Sequence, residues 1–366
     1  MKIIHCADVH LGSSLTANFD NKKAKERGAE LLTTFTNMFD YAENNSVNAI
    51  IIAGDLFDKD DGIKLLKKNV IRIIQSHPNI SVYYIKGNHD MNGSFEEVLS
   101  NLYTFNENEW TTFSLINDNK IKITGIELNK NNKNYIYNTL NLQNEDFNIV
   151  VMHGQESAVD AKKDAEIINL KALKGKYIDY LALGHIHSYK EMPLDNNRGI
   201  YCYSGCLEGR GFDETGNHGF VLLDIDSENH TYTRKFVPFA QRIIYHEKID
   251  ISNAEDTISA VQIIKEHLNK LNYKEGSIAE IVLVGDLDVD VNIDEEYIYS
   301  QFKNDFYLLK LKDDFSIKID YGSFEKDESL KGEFVRNVMN DSSLSEEDKA
   351  KIIKYGLDAL LGKELV

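Results

Sequence analysis

A chain of 366 residues, 42% hydrophobic and 27% charged with three prolines, has room for a catalytic domain plus an appendage and is too apolar to be disordered. No run approaches the ~20 apolar residues of a spanning helix, the start MKIIHCADVH lacks the pattern of a secretory leader, and the three cysteines (Cys6, Cys202, Cys206) lack metal-finger spacing, which suits reduced, structural thiols in a cytoplasmic protein. The formal net charge of −18, from 41 basic and 59 acidic residues, repels polyanions, so a nucleic-acid substrate would need local positive charge such as bound metal ions supply.

In chain order, apolar runs at 3–6 and 49–53 read as buried strands. Between them a helix over 24–45 places Leu31, Leu32, Phe35, Phe39 and Ala42 at helical spacing. A second helix, carrying Ile63, Leu66, Val70, Ile73 and Ile74, precedes a strand at 82–85, and further strands are expected at 149–152 and 180–183. Alternating strands and helices predict a layered α/β domain. After His187 the strand-like segments 200–203, 219–225, 232–237 and 243–249 are expected to extend a second sheet. An amphipathic helix at 254–271 (Ile258, Val261, Ile264, Leu268, Leu271) and a strand at 278–284 form a small α+β appendage. Two helices close the chain, 330–339 and 346–361, the second opened by Ser345 with Asp348 three residues on, as in a capping box. Up to residue 240 there are 25 basic and 32 acidic residues, and beyond it 16 and 27, so the later part is the more acidic.

Each of the five strand-like runs of the first half ends in potential metal ligands: ADVH (7–10), GDLFD (54–58), GNHD (87–90), HG (153–154) and GHIH (184–187). Ligands gather beyond the carboxyl ends of strands in an α/β sheet, so residues about 180 apart in sequence can converge there. Carboxylate, amide and imidazole suit manganese, iron or zinc. Two such ions roughly 3.5 to 4 Å apart would clamp a phosphoryl group and activate water, which is the chemistry of phosphate-ester hydrolysis. Taken singly, GNHD is an ordinary polar turn and GHIH a pair of strand-ending histidines; it is the conjunction of five blocks that points to a dinuclear site. His5, His77, His218, His230, His246 and His267 have no motif context and read as structural, as do Trp110 and the tyrosines.

In this order the five blocks resemble the calcineurin-like metallophosphoesterase superfamily, whose pattern is DxH, GDxxD, GNH[DE], H and GHxH. The resemblance implies a double-sheet sandwich flanked by helices, with Asp8, His10, Asp55 and His187 on one metal and Asp55, Asn88, His153 and His185 on the other, Asp55 bridging. It makes His89 the group that meets the scissile phosphate and donates a proton to the leaving oxygen, oriented by an acidic partner such as Asp90. The opening MKIIHCADVHLGSSL, the GDLFD block, the loop SGCLEGRGFDETGNHG and the terminal LKGEFVRNVM together resemble SbcD-like DNA-repair exonucleases, including the YhaO type. That resemblance implies a nuclease domain (1–240), a capping domain (241–325) and a helical tail (326–366) that docks on an SMC-like coiled-coil ATPase. It further implies manganese-dependent cleavage of DNA, with a homodimer as an allowed assembly and no membrane partner.

Arg210, flanked by Gly209 and Gly211, is positioned to approach a phosphate, or is simply a surface arginine on a glycine-rich turn. Two positions depart from many relatives: Ser204 stands before Gly205 in place of proline, and Asp58 replaces a histidine of archaeal and eukaryotic relatives. A DNA nuclease subunit is favoured over a small-molecule phosphodiesterase of the cyclic-nucleotide type, because the appended segments have little use in the latter. A non-catalytic metal-binding subunit leaves His89 and Asp90 without a role.

Overall fold

The computed structural model describes residues 1–58, 63–90, 95, 97–157, 167–195, 198–288, 291–318 and 321–360. The chain separates into two compact units, Met1–Ile243 and Ile244–Val366.

The first unit runs β1 (Lys2–Cys6), α1 (Asn21–Asn44), β2 (Ala49–Ala53), α2 (Ile63–Ser76), β3 (Ser81–Ile85), β4 (Leu102–Thr104), β5 (Thr111–Leu115), β6 (Asp118–Gly125), α3 (Ile136–Thr139) and β7 (Phe147–His153). It continues through β8 (Gln155–Ser157), β9 (Ile167–Asn169), α4 (Leu170–Leu173), β10 (Tyr180–Gly184), β11 (Lys190–Pro193), β12 (Ile200–Tyr203), β13 (Gly219–Asp226) and β14 (Thr231–Pro238). Two six-stranded sheets result, in the orders β14-β13-β1-β2-β3-β4 and β11-β12-β10-β7-β6-β5. β1, β2 and β3 are mutually parallel, as are β6, β7 and β10.

The sheets face each other across an apolar layer to which Ile3, Ile51 and Tyr83 contribute from one side and Ile123, Ile149 and Val151 from the other. Val150, Met152, Leu181 and Leu183, one residue out of phase, instead join Ile136 and Leu173 on the outer face of the second sheet. A strand buried on both faces must be apolar at every position, which explains the unbroken runs AIIIA and IVVM. α1 starts where the Asp20 carboxylate accepts from the amides of Lys22 and Lys23, and it buries Leu31, Phe35 and Phe39.

The five strands of the motif pattern are present, but those after His187 do not extend one sheet. β12 joins the second sheet, whereas β13 runs antiparallel to β1 and carries β14 into the first, pairing Ile3 with Leu223. The segment expected at 243–249 starts the second unit. There β15 (Ile244–Asp250), α5 (Thr257–Leu271), β16 (Ile278–Asp288), α6 (Glu295–Phe302) and β17 (Leu308–Lys318) form a parallel three-stranded sheet in the order β15-β16-β17. Its core draws Ile264 and Leu268 from α5 and Ile298 and Phe302 from α6.

α7 (Tyr321–Phe324), α8 (Leu330–Met339) and α9 (Glu346–Leu360) follow. The Asp348 amide donates to Ser345 Oγ at the start of α9, as the capping pattern requires. Val335, Ile353 and Leu357 are buried between α8 and α9, with Phe334 and Val338 against them, while Leu330 and Leu360 are exposed. Leu361, expected on the same apolar face, lies outside the described residues. No helix among the described residues is long and apolar enough to cross a membrane.

Candidate metal centre

The carboxyl ends of β1, β2, β3, β7 and β10 bring the five motif blocks together. Asp8, His10, Asp55 and His153 are all buried, and His187 is half-buried. Asp8, His10 and His187 each offer a ligand atom within 4.8 Å of the others, and so do Asp8, Asp55 and His153. His10 Nε2 lies 3.3 Å from His187 Nε2 and 3.8 Å from Asp55 Oδ2, which is 3.3 Å from His153 Nε2. Asn88 Oδ1 sits 3.0 Å from His153 Nε2 and 3.3 Å from His185 Nδ1. Asp8 is the carboxylate present in both groups, Asp55 Oδ2 lies between His10 and His153, and all seven expected ligand residues fall within one cluster.

Local backbone geometry makes this convergence possible. Asp8, His10 and Asp55 have φ of 51°, 50° and 51°, and His185 has 99°. Each left-handed residue costs of order 1 kcal/mol, offset here by hydrogen bonds: both Asp8 oxygens accept from the His185 amide at 2.9 and 3.0 Å, and Asp55 Oδ1 accepts from the His89 amide at 2.8 Å. Two glycines are demanded by crowding. A Cβ on Gly54, whose φ is 94°, would lie 2.1 Å from His153 Nδ1, and one on Gly87 would lie 2.2 Å from Asp55 Oδ1.

Burial pushes the Asp8 carboxyl up to about 6. Burial would raise Asp55 too, but the hydrogen bond and charge of His153, with the charge of His10, hold it well below the usual carboxylate range. His153 follows its partner: burial opposes its charge, yet Asp55 and Asp8 lift it to about 9. Two neighbouring buried carboxylates therefore draw compensating positive charge onto an imidazole. This donor set of carboxylate and amide oxygens with imidazoles, the nearby Cys6 thiol being pushed up by burial, fits a pair of divalent cations of intermediate hardness.

Two expectations about neighbouring residues change. Asp90 does not orient His89: its carboxylate is buried and accepts from the backbone amides of Leu56, Phe57 and Gly87 at 3.2, 2.7 and 3.0 Å, tying the GDLFD and GNHD loops together. Asp58 fills that position instead, its Oδ1 lying 2.9 Å from His89 Nδ1. Arg210 is not a free surface arginine. Its Nη2 donates to Glu214 Oε1 at 2.9 Å, and its Nη1 is 3.8 Å from Asp58 Oδ2. Glu214, unassigned from the sequence, also lies 2.6 Å from His187 Nδ1 and fixes which nitrogen of that ring faces the centre. Its signals in the sequence are its place in the SGCLEGRGFDETGNHG loop and the four-residue spacing from Arg210. The histidines without motif context are structural: His5 bonds the Tyr180 hydroxyl, His218 bonds Cys206 and the Glu214 carbonyl, and His77, His230, His246 and His267 lie beside carboxylates.

A calcineurin-like phosphoesterase family model matches residues 1–189. The chain is 25% identical over 291 residues to the uncharacterized metallophosphoesterase YhaO of Bacillus subtilis (strain 168), covering 76% of this chain and 69% of that protein. It is 25% identical over 320 residues to a subunit of the nuclease SbcCD of Staphylococcus epidermidis, covering 77% and 80%. To the DNA double-strand break repair protein Mre11 of Methanococcus maripaludis it is 24% identical over 259 residues, covering 62% and 64%. The motif blocks, their convergence at the strand ends of two facing sheets and the match over half the chain lead to one conclusion: the protein belongs to the calcineurin-like phosphoesterase family.

Proposed function

We propose that the protein is a manganese-dependent DNA phosphodiesterase, the nuclease subunit of a repair complex with an SMC-like coiled-coil ATPase. The observation that carries this reading is the clustering of Asp8, His10, Asp55 and His153 beside an imidazole–carboxylate pair, His89 and Asp58, that stands outside the seven expected ligands. Asp8, His10, Asp55 and His187 would hold one cation, and Asp55, Asn88, His153 and His185 the other. When bound, the cations supply charge compensation for phosphoryl oxygens and acidify the attacking water.

The chain's own residues do the rest. With Nδ1–H donated to Asp58, a protonated His89 presents Nε2–H to the leaving oxygen, and the Asp58 carboxylate stabilises the imidazolium until the proton moves. Arg210, held by Glu214, contributes a guanidinium to the phosphate. The relatives' names favour DNA as substrate: two are a nuclease subunit and a double-strand break repair protein.

The test uses labelled single-stranded and duplex DNA, a cyclic nucleotide and bis(p-nitrophenyl) phosphate, each with manganese and after chelation. Manganese-restored DNA cleavage supports the reading, cleavage of the cyclic nucleotide alone favours a small-molecule phosphodiesterase, and no hydrolysis with two ions bound indicates a non-catalytic subunit. His89→Ala should keep both ions yet lose about 10²- to 10⁴-fold in turnover; equal loss of metal and rate would place His89 among the ligands.

A further inference from the structure

Two adjoining cavities continue from the Asn88 side of the centre, beyond the ends of β3, β4 and β6. The nearer, about 130 Å³, is lined by Asn88 and His153 together with Lys86, Glu107 and Glu127. The farther, about 330 Å³, shares Lys86, Glu107 and Glu127 and adds Phe95, Phe105 and Asn106. The shared residues make them one groove that starts at candidate metal ligands and reaches the size at which small-molecule sites begin.

Its chemistry is unlike that of the centre. Lys86 Nζ is 3.0 Å from Glu127 Oε2, so the one ammonium of the shared wall is already matched and Glu107 adds a further negative charge. A phosphate would be repelled there, whereas an uncharged hydrogen-bond donor would be welcome. Glu107 is exposed, and Asn129 Nδ2 donates to its Oε2 at 2.7 Å, which fixes the carboxylate before any ligand arrives. Phe95 and Phe105 are among the residues that line the far cavity, so apolar carbon stands there beside the carboxylates. A carboxylate acceptor beside aromatic carbon matches a base with an exocyclic amino group, as when Glu or Asp accepts from cytosine N4. Thymine and uracil would set a carbonyl oxygen against the carboxylate.

Resting on the reading of the centre as a phosphodiesterase, we propose that this groove is a nucleobase subsite for the nucleotide joined to the scissile phosphate, selective for bases bearing an exocyclic amino group, with Glu107 as the reading residue. Deoxycytidine and deoxyuridine monophosphates, which differ in the group at position 4 and in the proton on N3, form the minimal probe pair. Calorimetric titration of each into the full chain in manganese buffer should show dCMP bound about tenfold more tightly, the size of one good base contact. Glu107→Gln, at an exposed position that leaves folding intact, should bring that ratio to one or below, because the amide can donate to the uracil carbonyl. Equal affinities in the unaltered protein, or a ratio that Glu107→Gln leaves in place, would overturn the subsite. Hydrolysis of bis(p-nitrophenyl) phosphate, measured alongside, separates the two readings. A protein that cleaves this diester without discriminating the nucleotides refutes the subsite alone. One that discriminates but cleaves no diester keeps the subsite and refutes the phosphodiesterase reading.

Discussion

His89 and Asp90 are adjacent in sequence but belong to different physical jobs, because the backbone sends one side chain toward Asp58 and buries the other beneath three amides. Conservative amide substitutions should therefore separate them. Asp58→Asn removes the charge that steadies an imidazolium, and turnover should fall by at least tenfold with the unfolding midpoint unchanged. Asp90→Asn turns one acceptor oxygen into a donor facing a backbone amide, which should lower stability by about 1–3 kcal/mol, read from urea unfolding. A second prediction at this scale concerns His5. Burial pushes its imidazole down from 6.5 to about 3, so the folded chain stays unprotonated there while the unfolded chain takes up a proton. Stability is unaffected by this group above about pH 6.5, falls by about 1.4 kcal/mol per unit as pH drops below it, and levels off near pH 3. Urea midpoints between pH 7 and pH 5 should fall less steeply in His5→Leu than in the unaltered chain.

Among the elements, the contact between α1 and the segment after β12 shows how the fold holds the glycine-rich loop. Arg27, buried on α1, pairs with Glu30, donates to Glu208 Oε2 at 3.1 Å and to the Gly209 carbonyl at 2.8 Å, one residue before Arg210. Arg27→Met would leave Glu208 buried without its cation, at a cost of about 3–5 kcal/mol. Chemical denaturation should show that loss, and Glu208→Gln in the same chain should recover part of it. None of this network was readable beforehand, because its partners lie about 180 residues apart and, although Glu208 and Gly209 stand in the quoted loop, Arg27 stands in no motif. The five strand ends that carry the candidate ligands were readable because each couples an apolar run to a ligand-rich turn. The hairpin β5–β6 was not: TTFSL and DNKIKITG mix polar and apolar positions at a sheet edge, where only one face is buried. β17 alternates as LLKLKDD, a half-buried pattern, yet within the expected capping domain (241–325) no strand was assigned after 278–284. Assigning both later hairpin strands to a second sheet failed for a topological reason, since β13 reaches back to β1 and periodicity carries no record of the partner.

For the whole molecule, a net charge of −18 sets the terms of the proposed encounter with DNA, because a polyanion must be met by local positive charge. In the proposed complex the ATPase would supply the affinity this chain lacks, and α8 and α9 are the proposed docking element. Their own packing buries Ile353 and Leu357 but leaves Leu330 and Leu360 in solvent, so one apolar side is satisfied internally and another is not. A chain ending at Ser329 should stay soluble, bind two ions and cleave bis(p-nitrophenyl) phosphate within about twofold of the full chain, yet no longer co-purify with a co-expressed coiled-coil ATPase. Retained co-purification would move the docking surface elsewhere, and loss of folding would make the tail part of the core.

The pairing of β1 with both β2 and β13 also governs when, during biosynthesis, the centre can exist. The first strand leaves the ribosome well before its antiparallel neighbour, which, with register partners such as His5 and Val221, is more than two hundred residues behind it. At 5–20 residues per second that is a wait of roughly ten to forty seconds. The Asp8 carboxylate meanwhile lacks the His185 amide, 177 residues downstream, that holds it in place. A nascent or prematurely terminated chain that stops between residues 90 and 184 therefore carries the DxH, GDxxD and GNHD blocks without the GHIH block that completes them. The proposed centre is thereby incomplete until the GHIH block has been translated, and fragments released before it carry no complete centre.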